Sequence, residues 1–356
     1  MNTIYLHPMA ARLFATLNTN VTTQSGSGAS LTAEMKTFYS NNLIDLAEPE
    51  LVHDQFGQKH PIPKNGGKTI EFRKYSSLPK ALTALTEGVT PNGQSLNVTT
   101  LTATVAQYGG YVTLSDVLLL TAIDNNLMQA SKLLASQAGR TLDTITREVL
   151  NGGTNVYYCA SGVTDKANLV GGSATASDNS TLTVDDIRRA VRKLKTMNTP
   201  KINGGYVAII HPDVSYDLMS DPEWQRPHEY VDTDNIYAGE IGRIAGCRFV
   251  ETTEAKVWKK AAKDKSSGTA VAGDGSTKGW DVYSTLVLGA DAYGVTEVTG
   301  GGLQMIIKQL GSAGTEDPLD QRATAGWKAI KVAERLVEEY MIRVMSVSSF
   351  NDASAN

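Results

Sequence analysis

The stretch from residue 59 to residue 114 most strongly limits what this chain can fold into. Within it, Lys68–Tyr75 and Leu96–Val105 alternate apolar and polar residues, and this period of two predicts two β-strands, with a turn at 91–93 between them. The apolar content is too low to bury both faces of the strands, and a long hairpin is unstable by itself in water. We therefore predict an extended ribbon that must lie against another surface.

A long helix is the most regular pattern after the ribbon. Ser115-Asp116 provide a start signal, apolar residues recur at helical spacing from Leu127 to Val149, and Gly152-Gly153 provide a stop signal. Counted from Asn126, this pattern predicts a helix of about 25 residues, or about 37 Å at 1.5 Å per residue.

The rest of the chain predicts a mixed body of helices and strands. A capping box of Thr183 and Asp186 opens a helix that reaches about residue 197, and the sequence His211-Pro212-Asp213 starts another helix that follows a buried strand. The predicted strands are Tyr206–Ile210, Cys247–Glu251, Val282–Leu288, Gly294–Val298 and Leu303–Leu310. Residues 259–279 are predicted to be a surface loop, and Ala329–Val347 is the last strong element.

The amino-terminal part has a different composition. Residues 18–30 are small and polar without a hydrophobic period, which predicts a mobile tether. A short helix is predicted around Glu34 to Leu46, with Thr32 as its candidate cap. No stretch has the roughly 20 consecutive apolar residues that a membrane span requires, so no membrane partner is expected.

Composition argues against several classes of protein. The formal net charge is −4, which is unlike that of a basic nucleic-acid-binding protein. The two cysteines, Cys159 and Cys247, cannot supply the four ligands of a structural zinc site and do not form a disulfide scaffold. We predict no metal and no cofactor.

The distribution of charge indicates a possible contact between copies of the chain. Residues 59–110 contain six lysines or arginines and two acidic residues, whereas residues 213–258 contain four and ten. We hypothesise that basic residues of the ribbon contact acidic residues of a neighbouring subunit. The basic residues are Lys64, Lys68, Arg73, Lys74 and Lys80. The acidic residues include Asp213, Asp217, Asp221, Glu223, Asp232 and Asp234. Ordinary solubility, or a contact within one subunit, remains an equal alternative.

Motifs that suggest catalysis or ligand binding are incomplete. The sequence from Lys64 to Thr69 lacks the first glycine of a phosphate-binding loop, because Ile62 stands at that position, and we interpret it as a turn. The glycines at 300–302 lack dinucleotide-binding spacing. His211 and Asp213 lack a serine or cysteine nucleophile, and His53 and His60 lack metal-ligand spacing.

One basic helix leaves a second possibility open. Five bases lie on the helix predicted at 183–197, namely Arg188, Arg189, Arg192, Lys193 and Lys195. Such a run is more often a solvated or salt-bridged face than a DNA-binding surface.

Four stretches carry a resemblance to a known family. They are Tyr206–Leu218, Glu240–Thr253, Tyr283–Val298 and Asp317–Val332, which includes Gly326-Trp327-Lys328. In this order, and together with the arm, ribbon and long helix, they resemble the major capsid proteins of tailed bacteriophages over about residues 31–348. The resemblance implies the Hong Kong 97-type capsid fold, an α+β fold with an amino-terminal arm, an extended β-hairpin loop, a long spine helix, and peripheral and axial domains.

The resemblance also implies domain boundaries. The expected parts are an arm with a short helix at 1–58, the extended hairpin at 59–114, the spine helix and peripheral domain at 115–220 with 316–348 returning to it, the axial domain at 221–315 and a tail at 349–356.

The implied function is assembly and not catalysis. The subunit would form pentamers and hexamers of an icosahedral shell around double-stranded DNA, without sequence-specific binding, and would work with scaffolding and portal proteins. It would assemble in the bacterial host cytoplasm and reside in the virion capsid. The alternatives are an encapsulin-like bacterial compartment, a hydrolase that uses His211 and Asp213, and a tail or decoration protein.

Overall fold

The computed structural model describes residues 19–20, 52–75, 78–85, 87–90, 92–121, 126–175, 178–228, 240–297, 301–312 and 316–352. The helices are α1 (Asp116–Thr121), α2 (Asn126–Asn151), α3 (Val184–Thr196), α4 (Pro212–Met219) and α5 (Pro222–His228). The strands are β1 (Thr19–Asn20), β2 (Gln58–Lys59), β3 (Thr69–Tyr75), β4 (Val98–Thr104), β5 (Ala106–Ser115), β6 (Val156–Tyr158), β7 (Val170–Gly171), β8 (Tyr206–Ile210), β9 (Glu240–Ile244), β10 (Cys247–Glu251), β11 (Val257–Asp264), β12 (Trp280–Leu288), β13 (Tyr293–Glu297), β14 (Gln304–Lys308), β15 (Arg322–Arg335) and β16 (Met341–Ser346). Short 3₁₀ helices lie at Lys166–Asn168 and Glu338–Tyr340.

The chain divides into two compact units. One contains the described residues within the ranges 1–50, 107–140 and 301–330, and the other contains those within 51–106, 141–300 and 331–356. The helix predicted at 34–46 lies outside the described residues, as does most of the predicted tether. Within the tether, Thr19 and Asn20 form strand β1, which is parallel to β5.

The second unit is built on a mixed sheet with the strand order β6-β16-β12-β8-β10-β9. Strand β8 is parallel to β10 and antiparallel to β12. Its residues Tyr206, Ala208 and Ile210 face a core that includes α3, whereas Val207 and Ile209 face a core with Leu150. Because both faces are covered, every residue of β8 is buried, and this explains its continuous apolar sequence.

Helices α3 and α4 begin where the sequence predicts. Thr183 accepts a hydrogen bond from the backbone of Asp186, and the Asp186 side chain accepts one from the backbone of Thr183, so the capping box is confirmed. His211 is the N-cap of α4, and Pro212 occupies the first turn, where it costs no backbone hydrogen bond.

The long helix is also confirmed. Helix α2 has 26 residues. Leu134, Ala138, Leu142 and Leu150 are buried along one side, as the helical period predicts. The Gly152 N–H donates to the Glu148 carbonyl at 3.0 Å in the stop region.

The last predicted element is in fact two strands. Strand β15 ends at Arg335, and β16 starts at Met341 after a 3₁₀ turn. The backbone N–H groups of Leu336 and Val337 both donate to the Ala292 carbonyl, at 2.9 and 3.1 Å. A continuous apolar pattern could not show this break, because the hydrogen bonds that make it come from a residue more than 40 positions earlier.

The predicted surface loop at 259–279 is wrong over its first part. Strand β11 extends to Asp264 and pairs with both β12 and β7. Lys259 forms an ion pair at 2.5 Å with the buried Asp281, so a polar sequence is compatible with a strand here. Only the part after the strand is irregular.

The first unit contains β5, β14 and the beginning of β15. Strand β14 pairs antiparallel with β15 from Gln304 opposite Lys328 to Lys308 opposite Thr324. Gly109 allows close approach, since a Cβ there would lie 2.6 Å from the Trp327 carbonyl oxygen. The Trp327 indole donates to Gln137 of α2 at 3.0 Å.

Candidate assembly surface

The predicted ribbon is present as a two-stranded hairpin. Strands β3 and β4 pair antiparallel from Thr69 opposite Thr104 to Tyr75 opposite Val98. Beyond them, the described residues from 78 to 97 contain no strand and are all exposed. The side chains of Leu82 and Leu85 are 85% and 76% exposed. Burial of these leucines against another surface would be favourable.

The root of the ribbon rests on the second unit. The Phe72 ring packs edge-on against His60, with 5.6 Å between ring centroids. A Cβ at Gly294 would lie 3.3 Å from Phe72, so the glycine provides room for the ring. A cleft of about 420 Å³ remains at this root, with Leu101 and Leu336 among its lining residues. The root is therefore anchored by one aromatic ring beside an incompletely filled space.

The basic ribbon residues are exposed, and two of them have partners in the chain. Arg73 pairs with Glu71 at 3.0 Å, and Lys74 pairs with Glu339 at 3.3 Å. A backbone hydrogen bond and the Lys74 ammonium lower the pKa of Glu339. The other three are Lys64, Lys68 and Lys80, and none of them forms an ion pair with a described residue.

The acidic residues of the predicted contact are used within the subunit. Asp213 accepts from the Tyr283 hydroxyl at 2.6 Å, and Asp217 accepts from the Ser349 N–H at 2.9 Å. Asp221 accepts from the Val184 N–H at 3.1 Å, and Glu223 pairs with Arg188. Asp232 and Asp234 lie outside the described residues. Among the described residues, no ion pair joins the basic set to the acidic set, and their pairing between subunits stays a prediction.

The proposed catalytic pair has a structural role instead. The His211 side chain accepts from the Asp213 N–H at 3.2 Å as a helix cap. Burial lowers the pKa of His211, although Asp213 and Glu251 act in the opposite direction. Both cysteines are buried and free, and burial raises the pKa of each thiol, so neither is an activated nucleophile.

The glycine-containing motif after Pro63 also agrees with its interpretation as a turn. The sequence Lys64–Thr69 contains a turn closed by the Gly66 N–H on the Pro63 carbonyl at 2.9 Å. The described residues hold no cluster of three or more side chains able to bind a metal. Among their helices, none combines the length and apolar character of a membrane span.

A buried polar network was missed in the sequence. Lys331 contacts Asp54, and Thr146 donates to the same carboxylate at 2.6 Å. His53, which precedes Asp54 in the chain, pairs with Asp143 at 2.6 Å, and both side chains are fully buried. A signal existed in the isolated lysine of the otherwise apolar run Ala329–Ala333, but its partner lies far away in sequence.

Comparisons with known proteins agree with this geometry. A family model described as phage capsid protein matches residues 120–310. A search of curated proteins gave no match. Among solved structures, the capsid of Ralstonia phage GP4 has a TM-score of 0.59 at 14% identity and covers 100% of both chains. The cyanophage Pam1 capsid has a TM-score of 0.57 at 14% identity, over 96% of this chain and 100% of that chain.

A further structure has the same fold. The capsid of cyanophage P-SCSP1u has a TM-score of 0.57 at 13% identity over 91% of each chain. The predicted α+β fold of the Hong Kong 97 type is thereby confirmed. Since the family model covers more than half of the 356 residues, the chain belongs to the phage capsid protein family and is a major capsid subunit.

Proposed function

We propose that this subunit assembles into hexamers and pentamers, and that these form an icosahedral shell around double-stranded DNA. The observation that carries the proposal is the exposed ribbon, whose leucines have no cover in the described chain. Full burial of one leucine side chain contributes about 1.5–3 kcal/mol, so a few such side chains repeated over many copies can drive assembly.

The charge of the ribbon supports a directed contact. Lys64, Lys68 and Lys80 have no ion-pair partner among the described residues and are available to a neighbouring copy. A heterologous contact of this kind generates rings and larger arrays. The division into arm, ribbon, peripheral and axial domains is part of the same proposal.

The proposal includes partners and location. Scaffolding and portal proteins would direct assembly in the bacterial host cytoplasm, and the product would be the virion capsid. The subunit would act through assembly alone, without an enzymatic step. The capping role of His211 supports this, because it gives a structural role to the residue that the hydrolase alternative would use as a base.

The first experiment tests whether the ribbon drives assembly. We expect Leu82→Ser combined with Leu85→Ser to abolish closed shells in negative-stain microscopy and to leave a folded subunit by circular dichroism. The matched control combines Leu120→Ser and Leu319→Ser, two leucines outside the ribbon that are 81% and 76% exposed. Shells formed by the ribbon variant at the wild-type concentration would contradict the proposal.

The content of native particles separates the remaining alternatives. A DNA-filled shell retains nuclease-protected double-stranded DNA, whereas an encapsulin-like compartment retains a protein cargo. A tail or decoration protein would form tubes or small oligomers in the same microscopy.

A further inference from the structure

The outer face of α3 carries bases that the structure divides into two groups. Arg188 pairs with Glu223, and Arg189 pairs with Asp185 at 2.7 Å. Three later bases of the helix, Arg192, Lys193 and Lys195, have no ion pair with a described carboxylate. The amino-terminal half of this face is therefore neutralised within the subunit, and the carboxy-terminal half is not.

Two more cations belong to the loop that follows α3 or contact that loop. The Asn198 N–H donates to the Lys195 carbonyl at 3.1 Å, which holds the start of the following loop against the helix. That loop carries the exposed Lys201 and reaches Gly204, whose carbonyl lies 3.5 Å from Nη2 of Arg243 in β9. We call these five residues the α3 patch: Arg192, Lys193, Lys195, Lys201 and Arg243.

The α3 patch is not explained by local structure alone. The helix dipole favours cations in the last turn, which accounts for Lys193 and Lys195. Its effect falls off within that turn, so it does not account for Arg243 on a separate strand. In the described chain, neither Lys201 nor Arg243 forms an ion pair. Cations without an anionic partner in their own subunit gain most from an external polyanion.

We infer that the α3 patch binds the phosphate backbone of the enclosed DNA; this inference rests on the proposed DNA-filled shell. Phosphate contacts by lysine and arginine are independent of sequence and weaken with salt. Helix α3 and the loop up to Gly204 contain no aromatic residue on which bases could stack, which fits a duplex better than a single strand. A weak contact repeated in every subunit holds packed DNA without stopping its entry.

An acidic surface of a second copy fits the α3 patch less well. The acidic residues described at positions 213–223 already accept hydrogen bonds or form ion pairs within their own subunit. A patch cation would have to share these carboxylates with their present partners, whereas binding to DNA phosphates releases counterions.

Fluorescence anisotropy of the unassembled full-length chain with a short duplex of random sequence tests the inference. We expect Lys195→Gln combined with Lys201→Gln to reduce the slope of log affinity against log salt by about two, since each phosphate contact contributes about one. The control, Lys263→Gln with Lys278→Gln, removes the same charge outside the patch and should keep the wild-type slope. Equal slopes for the two variants would overturn the inference.

Negative-stain microscopy of the same variants distinguishes the patch from a subunit contact. We expect both variants to form shells like those of the wild type. If only Lys195→Gln/Lys201→Gln fails to assemble, the patch is a contact between copies and the inference is wrong. If the wild-type chain itself forms no shells, the proposed function fails, while the anisotropy slopes still decide whether the patch binds phosphate.

Discussion

At the scale of single residues, the second unit depends on a buried charge that the sequence pattern hides. Lys331 is 2% exposed and donates to the Leu142 carbonyl at 3.0 Å besides contacting Asp54. On β15 the buried face holds Ala329, Lys331 and Ala333, while Ile330 lies on the less buried face. The ion pair with Asp54 and the hydrogen bond to Leu142 offset the cost of burying this charge.

Replacing this lysine should be costly. We expect Lys331→Ala to lower the free energy of unfolding by about 3–5 kcal/mol, because Asp54 would remain buried without its cation. Urea denaturation of the unassembled chain measures the change. Lys328→Ala is the control, on the same strand but partly exposed, and should cost about 1 kcal/mol or less. Similar losses in both variants would show that the ion pair is not needed.

At the scale of elements, the ends of helices are set by local chemistry. The α4 cap is an imidazole nitrogen, and it can accept the Asp213 N–H only while the ring nitrogen is unprotonated. Burial lowers the pKa of His211 in the folded chain. The unfolded chain therefore binds a proton more readily, and the stabilisation is complete above the unfolded pKa of about 6.5 and is lost as the pH falls through the folded value.

The lowered pKa of His211 predicts how the free energy of unfolding depends on pH. Between about pH 7 and pH 5, we expect the free energy of unfolding of the wild-type chain to fall more steeply than that of His211→Asn. Asparagine retains a cap acceptor that does not titrate in this range. Urea denaturation at both pH values provides the comparison. Parallel pH dependence in the two proteins would show that His211 does not contribute.

At the scale of the whole molecule, we expect assembly to depend on surface charges of the ribbon that contribute little to folding. The ion pairs of Arg73 and Lys74 are exposed, and pairs of this kind contribute only about 0.2–1 kcal/mol. The ribbon charges can therefore be changed with little effect on folding. Their main energetic effect would appear only when another copy lies against the ribbon.

Charge reversal on the ribbon tests this. We expect Lys68→Glu, Arg73→Glu and Lys74→Glu together to block assembly, or to shift the salt concentration at which it occurs, in sedimentation velocity. Circular dichroism should remain unchanged. The control reverses three lysines outside the ribbon: Lys132, Lys263 and Lys278. Assembly of the ribbon variant at the wild-type salt concentration would remove the argument for charge pairing.

The sequence by itself determined the elements whose causes are local. The period of α2, the capping box at Thr183, the His211-Pro212 start of α4 and the continuous apolar strand β8 each follow from residues within a few positions of one another. The same local patterns, in their order along the chain, were sufficient to indicate the capsid family. The two-residue alternation likewise predicted the ribbon, and its low apolar content predicted that the ribbon would lie against another surface.

Only the tertiary structure decided features that depend on distant partners. The break between β15 and β16 follows from Ala292, the strand at Lys259 from Asp281, and the burial of Lys331 from Asp54. It also showed that acids which look available in the sequence, such as Asp213 and Asp221, already hold hydrogen bonds of their own subunit. The physical reason is that a charge or a backbone group is stabilised by whatever lies within a few ångströms in space, and sequence patterns describe only neighbours along the chain.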